Sequence, residues 1–165
     1  MNTTDYFQRL SQYNQWMNEK NYQICASIPD AMRREDKGAF FNSIHGTLNH
    51  ILLADKLWLS RFQNYTFEFE SLRQELITEF DLLWEERQKT DQEIHNYINS
   101  LTAEKLVESL TFTSRSQKRE CTFPLWHLLL HFFNHQTHHR GQLTTLISQC
   151  SKDFGVTDLL WLPEL

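Results

Sequence analysis

The sequence contains few of the residues that interrupt helices and few that could crosslink the chain. Its 165 residues include four glycines, three prolines and three cysteines. So little glycine and proline disfavours a sandwich of short strands with many turns and favours a mostly helical fold. Cys25, Cys121 and Cys150 are widely spaced and odd in number. They form neither a C-x-x-C motif nor a disulfide framework, which suits a reducing compartment.

Long apolar runs and basic stretches are also missing. No run approaches the roughly 20 apolar residues of a membrane-spanning helix, and the start MNTTDYFQRL lacks the features of a secretory signal. The chain carries 16 basic and 21 acidic residues, a net charge of −5, without a basic stripe that would neutralise phosphates. We therefore expect a cytoplasmic protein with neither a membrane nor a nucleic acid as a partner.

Apolar periodicity predicts an all-α fold, a four-helix bundle formed by one domain over residues 1–165. Residues 110–123 between the third and fourth helices, rich in Thr and Phe, predict a short β-like hairpin around a polar turn. A helical turn is expected near Asp158 to Trp161. The four long helices are expected at about Thr3 to Ala26, Phe40 to Phe62, Ser71 to Ser100, and from about Pro124 to Cys150.

Five of the eight histidines lie between positions 127 and 139. The apolar stripe of the fourth helix includes His135 and His139, which are four residues apart and therefore on one face. His131 and His138 are rotated away and are expected at the surface. Two inward imidazoles one turn apart can share a metal ion. The alternative is a pair of buried neutral histidines that hydrogen-bond within the core.

A third imidazole would make a metal site far more convincing, because two hold a divalent ion poorly. On the second helix, His45 shares its face with polar residues, whereas His50 lies on a mainly apolar face that must be covered. His95, on the third helix, has polar neighbours that suggest solvent. Periodicity therefore favours His50 as the third ligand. Three neutral imidazoles would leave at least one coordination position open for water or substrate.

The chain resembles the DinB family, also called DinB/YfiT-like, of metal-dependent helical-bundle proteins. The stretches that carry the resemblance are YNQWMN, GAFFNSIHGTLNHILLADKLWLSRF, HFFNHQTHHRGQL and, more weakly, the tail around Asp158. The resemblance implies a four-helix bundle with one metal ligand on the second helix and an H-x-x-x-H pair on the fourth. In this sequence those positions are His50, His135 and His139. Zinc and nickel are the leading metals for such a site.

The resemblance also implies candidate activities. Some relatives are transferases or isomerases that use a low-molecular-weight thiol such as bacillithiol, mycothiol or glutathione. The leading hypothesis is therefore a metal-dependent thiol S-transferase that acts on small electrophilic molecules. A metal-dependent hydrolase and a non-enzymatic module of the stress response, binding a metal or a ligand, are the alternatives. A homodimer is expected, because helical bundles with several aromatic faces often pair.

No general acid or base can be assigned from the sequence. Gln142, one turn beyond His139, could orient a ligand or a substrate, and Tyr13 could offer a phenol to the same cavity. For both, ordinary hydrogen bonding in the core is an equal alternative. Asp91 could accept the N–H of a metal-bound imidazole, but an ion pair with Arg87, four residues earlier, is the preferred interpretation.

Overall fold

The computed structural model describes residues 3–114 and 117–163. The elements of this part of the chain are, in order, helices α1 (Thr3–Ala26), α2 (Asp30–Arg34), α3 (Ile44–Gln63), α4 (Phe80–Asn99) and α5 (Ala103–Val107), strands β1 (Ser109–Ser114) and β2 (Arg119–Pro124), helix α6 (Leu125–Ser148), and a 3₁₀ helix (Leu159–Trp161).

The four long helices α1, α3, α4 and α6 form the bundle that the periodicity predicts. Helix α1 packs against α4 and α6, and α3 packs against the same two helices. Each long helix therefore has two neighbours in a ring of four, as in a four-helix bundle. Within the described ranges, no helix is long and apolar enough to cross a membrane.

Helix α3 begins at Ile44 rather than at the predicted Phe40. Ser43 is its N-cap, and the Ser43 hydroxyl accepts a hydrogen bond from the Gly46 N–H at 3.0 Å. Just before the cap, Asn42 has a left-handed φ of 63°, which turns the chain sharply. A Cβ at Gly46 would overlap the Phe41 carbonyl oxygen, so glycine lets this turn pack closely on the helix. The turn leaves Phe41 outside the helix.

The predicted start of the third helix at Ser71 is wrong, because α4 begins at Phe80. Residues 71–79 form irregular turns. Ser71 and Gln74 match a capping-box pattern, but their side chains form hydrogen bonds away from any helix end. The Gln74 Oε1 accepts a hydrogen bond from the Glu70 N–H at 2.7 Å, and the Ser71 hydroxyl accepts a longer one, 3.3 Å, from the Arg73 N–H.

Hydrogen bonds from polar side chains of α3 explain why residues 71–79 are not helical. The Leu72 carbonyl accepts from His50 at 2.9 Å, and the Ile77 carbonyl accepts from His45 and from Asn49, both at 3.1 Å. The Asn49 amide oxygen also accepts from the Ile77 N–H at 3.0 Å. These tertiary contacts bind backbone groups that a helix would have bonded internally, and they satisfy polar groups buried on α3.

The hairpin between the long third and fourth helices is confirmed. Strands β1 and β2 pair antiparallel, from Ser109 opposite Pro124 to Ser114 opposite Arg119. The predicted polar turn includes residues 115 and 116, which lie outside the described residues. The short helices α2 and α5 lie between the predicted long helices and were not predicted, and the 3₁₀ helix matches the expected turn near Trp161. Helix α6 ends at Ser148, two residues before the predicted Cys150.

Candidate metal centre

The structure brings His50, His135 and His139 together. Among the described residues, they are the one group of three or more histidine, cysteine or acidic side chains whose potential ligand atoms all lie within 4.8 Å of one another. The His139 Nε2 lies 3.1 Å from the Nε2 of His135 and 3.3 Å from that of His50. Helix α3 supplies one ring and α6 supplies two, so the group joins two neighbouring helices of the bundle.

Hydrogen bonds at the far side of two rings define which nitrogen faces the centre. The His50 Nδ1 lies 2.9 Å from the Leu72 carbonyl oxygen, which can only accept. The His139 Nδ1 lies 2.8 Å from the Gln142 Oε1, which can also only accept. Both Nδ1 atoms therefore donate their proton outward, and in the neutral rings both Nε2 atoms point a lone pair inward.

This donor set fits a divalent metal ion. Two neutral Nε2 lone pairs 3.3 Å apart repel each other and cannot hydrogen-bond, whereas a shared cation would bind both. Tetrahedral zinc with Zn–N bonds of about 2.0–2.1 Å places its nitrogen ligands roughly 3.3–3.4 Å apart. The Nε2–Nε2 separations of 3.1 and 3.3 Å in the structure are close to that value. Outward hydrogen bonds to a carbonyl are also the usual support of metal-binding histidines.

The protonation states of the three histidines also favour binding of a metal ion. Burial lowers the pKa of His50 to about 4 and that of His135 to about 3, and it lowers the pKa of His139 as well. For His50 and His135, the neighbouring imidazoles lower the pKa further, because each would repel a second positive charge. All three rings are therefore neutral near pH 7, which is the form in which imidazole binds a metal.

An aromatic side chain covers one side of the centre. The Phe41 ring stacks on the His50 ring with a centroid separation of 3.7 Å, and its edge meets His139 at 5.5 Å. Phe41 is 7 % exposed, so it shields this side from water. The sharp turn before α3 places this ring, which explains why Phe41 lies outside the helix. The position of Phe41 was not anticipated from periodicity, which counted it as part of the helix.

Of the three residues suggested as assisting groups, only Gln142 contacts the centre. Tyr13 donates its hydroxyl hydrogen to the Thr157 carbonyl at 2.6 Å, so it ties α1 to the C-terminal segment. Asp91 forms the ion pair with Arg87 that was the preferred interpretation, at 3.0 Å. The His139 Nδ1–H donates a hydrogen bond to the Gln142 Oε1, and an orienting role for this glutamine stays a prediction.

The other histidines divide into buried and exposed ones. His131 and His138 are exposed, as expected, and His95 is partly exposed and contacts Asn99. His45 is fully buried, although its polar neighbours on α3 suggested otherwise. Its Nε2–H donates to a backbone carbonyl of the 71–79 segment, so it supports the chain beside the centre.

A ring of buried polar side chains ties the four long helices together. Each of these helices contributes side chains to it. The contacts join α1 to α4, α4 to α3, α3 to α6, and α6 back to α1. The contacts are Asn18 Nδ2 to Asp91 Oδ1 at 2.9 Å, Arg87 Nη1 to Asp55 Oδ2 at 2.6 Å, Gln136 Nε2 to Asp55 Oδ1 at 2.8 Å, and Arg140 Nη1 to Asn14 Oδ1.

These polar contacts fix the position of α6 beside the candidate metal centre. Gln136 and Arg140 directly follow His135 and His139 along the helix, and both are almost completely buried. They lie outside the single stripe that periodicity assigned to the core. The reason is that α6 packs against both α1 and α3, so two of its faces are covered rather than one.

A cavity of about 460 Å³ opens beside the centre, and His50 and His135 form part of its wall. The rest of the wall comes from α3, α6, the 69–72 segment and the β hairpin, including Trp58, Arg61 and Cys121. None of these three residues was predicted to lie beside the histidines. Cys121 is far from His50 in the sequence, and it reaches the cavity wall because the hairpin packs over α3.

The fold and the centre together define a helical-bundle protein with a three-histidine cluster between two helices. The family model described as "DinB family" matches residues 1–165, and the chain belongs to this family. One relative is "Protein DinB" of Bacillus subtilis (strain 168), 26 % identical over 159 residues, which cover 94 % of this chain and 92 % of that protein. No solved structure gives a significant match.

Proposed function

We propose that the chain is a metal-dependent thiol S-transferase that acts on small electrophilic molecules, with zinc or nickel held by His50, His135 and His139. The observation that carries the proposal is the cluster of three neutral imidazoles, two of which, His50 and His135, form part of the wall of a cavity of about 460 Å³. A purely structural metal site would be closed by four protein ligands, whereas a three-histidine site leaves room for a reactant.

The residues of the chain have separate tasks in this proposal. The three imidazoles hold the metal, and the Leu72 carbonyl and Gln142 keep His50 and His139 in the orientation that binding requires. Phe41 keeps water from one side of the centre. When bound, a divalent metal supplies Lewis acidity, which lowers the pKa of a coordinated thiol or water.

The cavity supplies the place for the electrophile. Its wall includes Trp58 and Phe112, which suit an organic molecule. In the overall reaction, the sulfur of the thiol forms a bond to an electrophilic carbon of the second substrate. The thiol proton goes to solvent, and the leaving group departs with the electron pair of the broken bond. The thiol is a small molecule of the cell, such as bacillithiol, mycothiol or glutathione, which the family resemblance suggests.

The test is a conjugation assay with purified, untagged protein loaded with zinc or with nickel. Each of the three thiols is offered with chlorodinitrobenzene, and the thioether product is measured with and without a chelator. We expect a rate above the uncatalysed one with at least one thiol, lost with the chelator and in His50→Ala. His95→Ala is the matched control, because it removes a histidine of α4 that lies outside the centre, and it should keep the rate.

The other outcomes separate the alternatives. A rate that the chelator leaves unchanged contradicts the proposal. Metal-dependent hydrolysis of nitrophenyl acetate without any thiol would support the hydrolase instead. Turnover of neither substrate, combined with a protein that is stabilised by metal, would support the non-enzymatic module.

A further inference from the structure

We propose that His127 and His131 form an entry site, which captures a divalent metal ion at the wall of the cavity and passes it to His135. The inference rests on the metal centre of the proposed function and adds the route by which that centre is loaded. His127, His131 and His135 are each four residues apart on α6, and all three line the cavity. Successive rings therefore follow one another at about one helical turn, a rise of about 6 Å.

The cavity is a side of the centre from which an ion can reach it. Phe41 covers another side, because its ring stacks on His50 and its edge meets His139. Of the three rings of the centre, His50 and His139 are buried, whereas His135 is partly exposed and lines the cavity. His135 is therefore the ring of the centre that an ion from the cavity meets first.

His131 lies next to that first ring. The centroids of the His131 and His135 rings are 6.0 Å apart, compared with 4.4 Å between His135 and His139. With zinc–nitrogen bonds of about 2.0–2.1 Å, rings at this distance are close enough for one ion to contact both of them. An ion held by His131 can therefore form its bond to His135 before it leaves His131.

The nitrogens of the two entry histidines are available to an ion. Both side chains are exposed, and their contacts are with aromatic rings: His131 meets the Trp58 ring at 5.1 Å, and His127 stacks on Phe123 at 5.4 Å. Neither imidazole hydrogen-bonds to another side chain or to the backbone within the described part of the chain. An ion that binds there therefore displaces water and breaks no hydrogen bond of the protein.

The composition of the cavity wall makes imidazoles its most numerous ligands for zinc or nickel. Among the described residues of the wall, none is a carboxylate, and Arg61 and Arg119 are positive. A cation is therefore held at the imidazoles rather than along the wall as a whole, while the net charge of −5 attracts it to the protein. Two imidazoles bind a divalent ion weakly, and weak binding lets the ion move on to the three-histidine centre.

The rates of zinc uptake and release test the inference. Metal-free protein is rapidly mixed with a limiting amount of zinc, and a chromophoric chelator added at set times measures the zinc that is still free. Transfer of zinc from the loaded protein to an excess of the same chelator gives the release rate. The variant combines His127→Phe with His131→Phe, which keeps the aromatic contacts of both rings and removes their nitrogens.

We expect uptake and release to slow by the same factor, about tenfold, in this double variant. A site on the path of the ion lowers the barrier equally in both directions, so its loss changes the rates and leaves the equilibrium as it was. The dissociation constant, which is the ratio of the release rate to the uptake rate, should therefore change by less than about twofold. Loss of a ligand of the centre, or damage to the fold, would change this constant instead.

His95→Phe is the control, since it makes the same substitution at a histidine of α4 that contacts Asn99 outside the cavity, and it should leave both rates unchanged. The inference is overturned if the native protein takes up no zinc, or if the double variant exchanges zinc as fast as the native protein. It is also overturned if only one of the two rates changes in the double variant, or if His95→Phe slows exchange to the same extent.

The exchange rates and the conjugation assay separate this inference from the proposed function, because the first require no turnover. Zinc exchange that depends on His127 and His131, in a protein that conjugates none of the thiols, would contradict the proposed function alone. Metal-dependent conjugation, combined with native exchange rates in the double variant, would contradict the entry site alone.

Discussion

At the scale of the residue, Gln142 forms a hydrogen bond to one imidazole of the candidate metal centre. Its Oε1 accepts the proton of the His139 Nδ1 at 2.8 Å, which keeps the Nε2 lone pair directed inward. We predict that Gln142→Leu weakens zinc binding about 10- to 100-fold, as expected for loss of such a support. Gln142→Glu, which keeps the acceptor, should bind zinc at least as tightly as the native protein. Competition with a chromophoric chelator measures both, and an unchanged affinity in Gln142→Leu would refute the orienting role.

His45 predicts a pH dependence of stability. Burial lowers its pKa below the ordinary value of 6.5, and Glu75 at 3.8 Å does not compensate. A histidine with a lower pKa in the folded state contributes stability above about pH 6.5, and this contribution is lost as the pH falls towards the folded pKa. The free energy of unfolding should therefore fall less between about pH 7 and pH 5 in His45→Gln than in the native chain.

Urea denaturation of the metal-free proteins at a series of pH values measures this difference. The triad contributes equally to the pH dependence of both proteins, so the difference between the two curves reports His45 alone. Glutamine can still donate a hydrogen bond to the Ile77 carbonyl, which keeps the segment before α4 in place. Parallel curves for the two proteins would show that His45 is not the group that titrates.

At the scale of the element, the packing of α6 depends on the buried polar ring. Asp55 lies at its centre, accepting from Arg87 at 2.6 Å and from Gln136 at 2.8 Å. Asp55→Ala would leave the Arg87 charge buried with one partner fewer, so we predict a loss of about 3–5 kcal/mol in the free energy of unfolding. Glu108→Ala breaks an exposed ion pair with Lys105 and should cost less than about 1 kcal/mol. Similar losses in both variants, measured by urea denaturation, would contradict a special role for the ring.

The elements also show which features can be predicted from the sequence. Apolar periodicity locates the four long helices and selects His50, His135 and His139, because helical spacing alone decides which side chains share a face. It fails at residues 71–79, where Ser71 and Gln74 look like a helix start. There, side chains of α3 such as His50 and Asn49 hold the backbone, and local sequence does not contain that information.

The cavity could not be predicted for a related reason. Trp58 and Arg61 look like ordinary residues of a helix, and Cys121 like part of an edge strand. They meet only because the hairpin packs back over α3, a contact between segments that are far apart in sequence. The cavity beside the histidines is therefore determined by the 69–72 segment and by the packing of the β hairpin, more than by any sequence motif.

At the scale of the whole molecule, the metal would join α3 to α6. Because the unfolded chain does not hold the three imidazoles together, binding of a metal would add directly to the free energy of unfolding. The bundle places three imidazole rings at one point, and the hairpin forms part of the wall of the cavity beside them. Homodimerisation stays a prediction, since the structure describes one chain.

The most direct measurement is the metal content of the untagged protein, determined by mass spectrometry after exposure to zinc or nickel and gel filtration. The account predicts one metal ion per chain in the native protein and in His95→Ala, and less than a tenth of that in His50→Ala and in His135→Ala. A native protein without metal, or triad variants that keep their metal, would contradict the central claim that these three imidazoles hold one ion.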